Sequence, residues 1–336
     1  MGQIVFLLYD SRSGSTLLSR LLDEYVDVGV SIESDLMVSL ARSGGGLGQG
    51  GTVDQLLQRA RGTARLDHLR VDEDALRARL GGGEVSIAAF VEAVLEMYFA
   101  LDRPDADVWV VKDGANGFHV HQIAAALPGA RFIHVLRDGR AVLNSRSKTE
   151  RPYAPGETMA RDALTAARLW TDLLGNVDAF SARHPGRMLE VRYEELIVDP
   201  PRVLGDIRTF VGLPRDGQRT ADGPGYEDRI VGAERGIHTL VGSSPQAGRI
   251  EAWKAELDPV DRRLFELAAG DVLRDRGYSD IPALGPLDLL RDAALARAFA
   301  VAHGRRARSW IGYLGRPRFL ARTAYVKYLR SRDRRC

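Results

Sequence analysis

The fold is decided by the stretch Ile4-Val-Phe-Leu-Leu-Tyr-Asp-Ser-Arg-Ser-Gly-Ser-Thr-Leu-Leu18. Its first six residues are apolar or aromatic, which is typical of a buried parallel strand. Small residues follow, and a helix with leucines on one face begins directly after them. A turn of small residues exposes backbone N–H groups, and the amino end of the next helix carries a partial positive charge. The stretch predicts a cradle for a phosphate-like anion; the alternative is a capped helix after a strand.

The cradle differs from the loop that binds nucleoside triphosphates. That loop has the pattern G-x-x-x-x-G-K-[ST], with a lysine on the phosphates and a magnesium ligand beside it. Here Arg12 stands before Ser-Gly-Ser-Thr, and no Gly-Lys pair follows. We therefore expect phosphate-type binding without kinase-type metal chemistry. A nucleotide-dependent phosphoryl transferase on a related fold stays as the alternative function.

A second strand, turn and helix are predicted by Arg131-Phe-Ile-His-Val-Leu-Arg-Asp-Gly-Arg-Ala-Val-Leu-Asn-Ser145. Arg137 closes this strand, and Ser145 lies two turns into the helix. Ligands of open parallel sheets bind beyond the carboxyl ends of the strands, so Arg12 and Arg137 should converge on one crevice. Two basic anchors favour a ligand with two phosphate groups. An ordinary surface arginine is the alternative for Arg137.

The two segments together resemble the sulfotransferases that use 3′-phosphoadenosine 5′-phosphosulfate (PAPS). The sequence motif Arg137-Asp-Gly-Arg-Ala141 most resembles the corresponding motif in the bacterial and tyrosylprotein branches of that family. Three later blocks extend the resemblance over residues 1–280, namely Val191-Arg-Tyr-Glu-Glu-Leu196, Phe210-Val-Gly-Leu-Pro214 and Gly248-Arg-Ile-Glu-Ala-Trp-Lys254. The implied fold is α/β, with a central parallel sheet flanked by helices as in P-loop NTPases.

The resemblance also implies the residues that bind the donor. The 5′-phosphosulfate would be held by the first loop, comprising Arg12, Ser13, Gly14, Ser15 and Thr16. The 3′-phosphate would be held by Arg137 and Ser145. A late loop covers the nucleotide in the family, and its matching residues are Ser243, Ser244 and Arg249; a plain surface loop is the alternative there. The implied products are a sulfate ester and adenosine 3′,5′-bisphosphate (PAP).

Glu33 is the expected catalytic base. It follows a short strand predicted over residues 28–32, which places it at the carboxyl edge of the sheet beside the cradle, and a glutamate at the matching place is the base in the tyrosylprotein-like branch. Asp35 and a histidine are the alternatives. Lys112 ends another predicted strand and, with Arg12, would stabilise charge on the departing group. For Lys112 the alternative is a salt bridge to its neighbour Asp113.

The composition agrees with an enzyme of one large α/β domain, since 45% of the 336 residues are hydrophobic and 27% are charged. The histidines have no zinc-type spacing, and the only cysteine is Cys336, so we predict no bound metal. No secretory or membrane-spanning pattern is found, and we expect a cytoplasmic enzyme. The acceptor is expected to be a hydroxyl on a small molecule, natural product, lipid or glycan.

The predicted catalytic domain, residues 1–284, contains one insertion and is followed by a tail. Residues 43–83 form a helical insertion between glycine clusters, interpreted either as an acceptor lid or as a surface hairpin of helices. Residues 285–336 form a basic, aromatic-containing helical tail with a net charge of +10, which leaves −8 for the rest of the chain. The tail is expected either to pack on the domain or to bind an anionic membrane face or an acidic partner. A nucleic acid is the less favoured partner.

Overall fold

The strands of the computed structural model are β1 Gln3–Tyr9, β2 Val28–Val30, β3 Val108–Lys112, β4 Arg131–Leu136, β5 Glu150–Arg151, β6 Ala154–Thr158 and β7 Met188–Arg192. Five of them form one parallel sheet in the order β2-β3-β1-β4-β7, and β5 and β6 form a separate antiparallel pair. The parallel sheet expected from the sequence is thereby confirmed. The structure describes residues 2–61, 66–151, 154–160, 162–219, 225–230 and 247–278. Ser243, Ser244 and the predicted tail lie outside these ranges.

The helices are α1 Ser15–Asp23, α2 Leu36–Arg42, α3 Val53–Ala60, α4 Glu73–Leu80, α5 Ile87–Asp102, α6 Val120–Ala126, α7 Gly139–Ser147, α8 Ala163–Arg183, α9 Tyr193–Val198, α10 Pro200–Phe210, α11 Tyr226–Arg229, α12 Gly248–Glu251, α13 Trp253–Glu256 and α14 Pro259–Asp275. Short 3-10 turns span Gly46–Gly48, Leu66–Leu69 and Gly114–His119. Several helices begin at caps readable in the sequence. The side chains of Ser86, Asp162 and Asp258 each accept a backbone N–H from the first turn of α5, α8 and α14.

Helices cover both faces of the sheet because side chains on β1 alternate between two apolar clusters. Phe6 and Leu8 belong to a cluster that includes residues of α5 and α8, whereas Val5 and Leu7 belong to one that includes residues of α1 and α10. This period of two is the signature of a strand with both faces buried. The arrangement leaves the carboxyl ends of the strands as the open edge where a ligand can bind.

The helices of residues 43–83 contribute to the domain core. Leu56, Leu57 and Leu76 are buried in the same cluster as Phe6 of the central strand. A mobile surface hairpin would leave these leucines in water, so that alternative does not describe the structure. The role of this region as an acceptor lid stays a prediction. Among the described helices, none combines the length and the apolar character needed to cross a bilayer.

Candidate active site

The predicted cradle is the turn between β1 and α1. The N–H of Ser13 donates to the carbonyl of Asp10 at 3.1 Å, and Gly14 takes a left-handed conformation, with φ +91°, at the start of α1. A Cβ on Gly14 would lie 2.3 Å from the Tyr193 ring, so both the backbone angle and the packing require glycine. Ser13, Ser15 and Thr16 are buried against this turn. The first backbone N–H groups of α1 are therefore presented at the strand end.

The second predicted segment meets this cradle. Arg12 Nε donates to Ser145 Oγ at 3.1 Å, and Arg137 Nη1 donates to the Arg12 carbonyl oxygen at 2.8 Å. The guanidinium of Arg137 also lies 4.0 Å from the centroid of the Tyr193 ring. All the residues predicted to hold the two phosphates, apart from those of the late loop, thus lie at one edge of the sheet. The expected convergence of Arg12 and Arg137 is present in the structure.

The electrostatics of this edge favour an anion. Burial lowers the pKa of both Arg12 and Arg137, and each guanidinium is still protonated at neutral pH because the ordinary pKa of arginine lies far above 7. The pKa of Arg12 is lowered further by the neighbouring charge of Arg137. Within the described residues, Ser13 Oγ and Arg137 Nε are buried with no hydrogen-bond partner. Paired like charges and unsatisfied donors suit a ligand with phosphate groups.

A carboxylate and an ammonium group are paired beside the cradle. Lys112 Nζ donates to Glu33 Oε1 at 2.7 Å, and the Tyr9 hydroxyl donates to the same oxygen at 2.7 Å. Lys112 is only 2% exposed, whereas the Glu33 side chain is 21% exposed. Burial acts to lower the pKa of Lys112, but the interactions with the Glu33 carboxylate and with Tyr226 together outweigh burial, and the pKa is raised. Glu33 is thus held between two donors at the mouth of the site.

Two tyrosines at this position were missed by the sequence analysis. Tyr9 ends β1, and burial raises its pKa well above the usual value, so its hydroxyl stays protonated and donates to Glu33. Its place at the carboxyl end of the central strand was a usable signal. Tyr226, on the short helix α11, has its ring centroid 5.9 Å from Lys112 Nζ. No pattern in the sequence points to Tyr226, because only the fold brings α11 to β3.

The residues considered as alternatives to Glu33 for the catalytic base lie in other positions. Asp35 occupies the cap of α2 with φ +54°. His119 Nδ1 lies 3.1 Å from the Gln122 side-chain oxygen, and the His121 ring packs edge-on against Phe180 of α8. A different histidine, His68, has its Nδ1 3.3 Å from the Glu33 carbonyl oxygen, so the 43–83 region reaches the candidate site.

Asp113 does not form the salt bridge considered for Lys112. Lys112 pairs with Glu33, and Asp113 Oδ1 instead accepts backbone N–H bonds from Ser34 at 2.8 Å and Asp35 at 2.9 Å. A carboxyl directly after the strand lysine therefore faces the turn that follows β2.

Arg249 is placed beside the arginine pair by its backbone. The carbonyl oxygen of Arg249 accepts from Arg137 Nη2 at 3.1 Å, and the Arg249 side chain is exposed at the start of α12. Across the described ranges, no three His, Cys, Asp or Glu side chains are grouped as metal ligands.

Comparisons with known proteins agree with this geometry. The model of a family described as the sulfotransferase family matches residues 5–217. Protein-tyrosine sulfotransferase 1 of Danio rerio is 23% identical over 236 residues, which cover 70% of this chain and 58% of that protein. The chain thus spans less than two thirds of that relative's length.

Two solved structures share the fold. The sulfotransferase domain from the curacin biosynthetic pathway has a TM-score of 0.55 at 18% identity, covering 84% of this chain and 99% of that domain. The sulfotransferase domain from the Synechococcus PCC 7002 olefin synthase has a TM-score of 0.55 at 19% identity, covering 84% and 96%. With a family match over more than half of its residues, and with the cradle and the paired arginines at one sheet edge, the chain belongs to the sulfotransferase family.

Proposed function

We propose that this sulfotransferase takes its sulfuryl group from PAPS and transfers it to a hydroxyl acceptor, with Glu33 as the base. The observation that carries the proposal is the meeting of Arg12, Ser145 and Arg137 at one sheet edge. PAPS carries one anionic group at its 5′ position and another at its 3′ position. The two anions match the two groups of binding residues, which lie on the turn after β1 and on the segment that follows β4. The loop of residues 12–16 would hold the phosphosulfate, and Arg137 and Ser145 would hold the 3′-phosphate, with Ser243 and Arg249 covering the nucleotide.

The proposed reaction is an in-line displacement at sulfur. The acceptor oxygen forms a bond to sulfur, and the bond between sulfur and the bridging phosphate oxygen breaks. The acceptor proton passes to the carboxylate of Glu33, and the electron pair of the broken bond stays on the phosphate of PAP. Lys112 and Arg12 stabilise the negative charge that grows on that phosphate. Lys112 and Tyr9 both donate to Glu33 Oε1, and hydrogen bonds from donors favour the carboxylate form that a base needs.

The acceptor is proposed to be an alcohol or a phenol. The relative from Danio rerio is named as a protein-tyrosine sulfotransferase, and a tyrosine side chain is a phenol. The Glu33 side chain is 21% exposed, so an acceptor can reach it from solvent. We also propose that residues 1–284 form the catalytic domain, that the enzyme works in the cytoplasm, and that residues 285–336 contact an anionic membrane face or an acidic partner.

The experiment is transfer of ³⁵S-labelled sulfate from PAPS to p-nitrophenol and to a tyrosine-containing peptide, with and without EDTA. The proposal predicts label in at least one acceptor and a rate that EDTA does not change, since the charge stabilisation comes from Arg12 and Lys112. Transfer of phosphate from ATP that requires magnesium would contradict it and favour the phosphoryl transferase. Flotation of the full chain with phosphatidylserine vesicles, compared with a chain that ends at residue 284, tests the tail.

A further inference from the structure

Asp113 ties two strand ends of the sheet together. It directly follows Lys112 at the carboxyl end of β3, and its side chain is completely buried. Its Oδ1 accepts the backbone N–H groups of Ser34 at 2.8 Å and Asp35 at 2.9 Å. One carboxyl oxygen at the end of β3 therefore satisfies two backbone donors of the turn between β2 and α2.

This turn determines where Glu33 points. Glu33 lies in neither a helix nor a strand, whereas the groups that it contacts, Tyr9 and Lys112, are fixed on neighbouring strands of the sheet. Asp35, two positions after Glu33 in the same turn, has φ +54°. This angle lies in the left-handed region, which is strained for most residues other than glycine. Strain of this kind persists only where the surrounding contacts oppose relaxation. The two hydrogen bonds to Asp113 are contacts of that type.

The chemistry of Asp113 indicates which substitutions keep these bonds. Burial, together with the nearby Asp35, raises the pKa of Asp113 to about 8. At neutral pH the side chain is therefore mostly protonated, and a neutral carbonyl-type oxygen accepts both N–H groups. An asparagine amide oxygen can accept the same two bonds, whereas alanine leaves the buried N–H of Ser34 and the partly buried N–H of Asp35 without this acceptor.

We propose that Asp113 is a positioning residue, which holds the Ser34–Asp35 turn so that the Glu33 carboxylate stays beside Lys112. Asp113 acts through the backbone and faces the turn rather than the arginine pair that would bind the nucleotide. The structural part of this inference stands on the contacts alone. Its kinetic consequence rests on the proposed role of Glu33 as base.

The structural test compares crystal structures of Asp113→Ala and Asp113→Asn. We expect Glu33 Oε1 to move beyond about 4 Å from Lys112 Nζ in the alanine variant, the limit for an ion pair. We expect the asparagine variant to keep the contact. Backbone amide exchange at residues 34 and 35 should accelerate only in the alanine variant. If Asp113→Ala does not fold, Asp113→Ser replaces it, because its shorter side chain cannot reach both amides. An alanine or serine variant that keeps Glu33 beside Lys112 overturns the inference.

The kinetic test uses PAPS with p-nitrophenol and, separately, titration with PAP. We expect Asp113→Ala to lower kcat about 100-fold, as a misplaced catalytic group does, while Asp113→Asn stays within about threefold of wild type. The Kd for PAP should change by less than about threefold in both variants, because no bond to the nucleotide site is removed. Equal losses of kcat in the two variants would overturn the positioning role.

A matched control is Asp258→Ala. Asp258 is exposed and also accepts two backbone N–H groups, from Val260 at 2.8 Å and Asp261 at 3.2 Å, at the start of α14. We expect this variant to lose stability without losing kcat. If wild-type protein fails to bind PAP, the proposed function fails, and the crystal structures of the Asp113 variants still decide the positioning role.

Discussion

Arg12 Nε and Ser145 Oγ lie 3.1 Å apart although 133 positions separate the two residues in the chain. The contact joins the turn after β1 to the helix after β4, and these two strands are neighbours in the sheet. Each segment alone has an ordinary structural explanation. Their contact makes one continuous basic edge, and that edge is the physical basis of the proposed binding of a doubly phosphorylated donor.

Glu33→Gln should abolish most of the turnover without weakening the nucleotide site. Glutamine is close in size to glutamate and keeps an oxygen near Lys112, but its amide cannot take the proton from the hydroxyl group of the substrate. We expect kcat to fall by about 10²–10⁴, the contribution typical of general base catalysis. Rates with PAPS and p-nitrophenol, and the Kd for PAP, are the two measurements.

Glu24→Gln is the control for that substitution. Glu24 forms ion pairs with Arg20 and Arg219 at the end of α1, away from Lys112. Its removal should leave kcat unchanged. If Glu33→Gln keeps the kcat of the wild type, Glu33 is not the base, and Asp35 and His68 become the candidates.

Gly14→Ala should destabilise the fold and weaken PAP binding together. The new Cβ would lie 2.3 Å from the Tyr193 ring, and the backbone at φ +91° is strained for alanine. We expect a loss of about 2–4 kcal/mol in unfolding free energy, from strain and overpacking combined. Chemical denaturation and PAP titration measure the two effects.

Gly186→Ala separates these two causes. Gly186 also has positive φ, +78°, but a methyl group at that position would have no atom within 4 Å, so only backbone strain is added. We expect a loss of about 1–2 kcal/mol and normal PAP affinity. Equal effects of the two substitutions would show that Tyr193 does not constrain the cradle.

Asp113 should make stability fall as pH rises. Its pKa is about 8 in the folded chain and near 3.8 when unfolded, so between these values the folded state holds a proton that the unfolded state has released. Unfolding free energy should therefore decrease through this window, by at most about 1.4 kcal/mol per pH unit, and level off above it. Urea denaturation of wild type and Asp113→Asn from pH 5 to 9 isolates this contribution. A difference between the two proteins that does not change with pH would contradict the burial of a titrating carboxyl.

Local patterns in the sequence were sufficient for the sheet and for the basic edge. Ile4–Tyr9 and Val108–Val111 are continuous apolar runs, and the residues directly after such runs lie at the carboxyl ends of parallel strands. Arg12 and Arg137 follow β1 and β4, which are neighbours in the sheet, so the same geometry brings the two arginines together. The predicted second strand was too long, since β2 ends at Val30 and the chain turns before Glu33. The hydrogen bonds that Ser34 and Asp35 donate to Asp113 hold that turn.

Contacts that depend on tertiary packing could not be predicted from the sequence. Tyr226 and His68 approach Lys112 and Glu33 from segments with no recognisable pattern of their own. The alternative prediction for Lys112, a salt bridge to Asp113, was also wrong. Adjacent residues on a strand point to opposite faces, so Lys112 cannot readily meet Asp113 and instead reaches Glu33 across the strand end.

The central claim is tested most directly by calorimetric titration of the wild-type protein and Arg137→Ala with PAP and with ATP. The account predicts that PAP binds wild type at least about tenfold more tightly than ATP does, because only PAP carries the 3′-phosphate. It also predicts that Arg137→Ala removes this preference, as expected for the loss of a charge-assisted contact. Equal affinity of wild type for the two nucleotides, or a preference for PAP that survives in Arg137→Ala, would contradict the assignment.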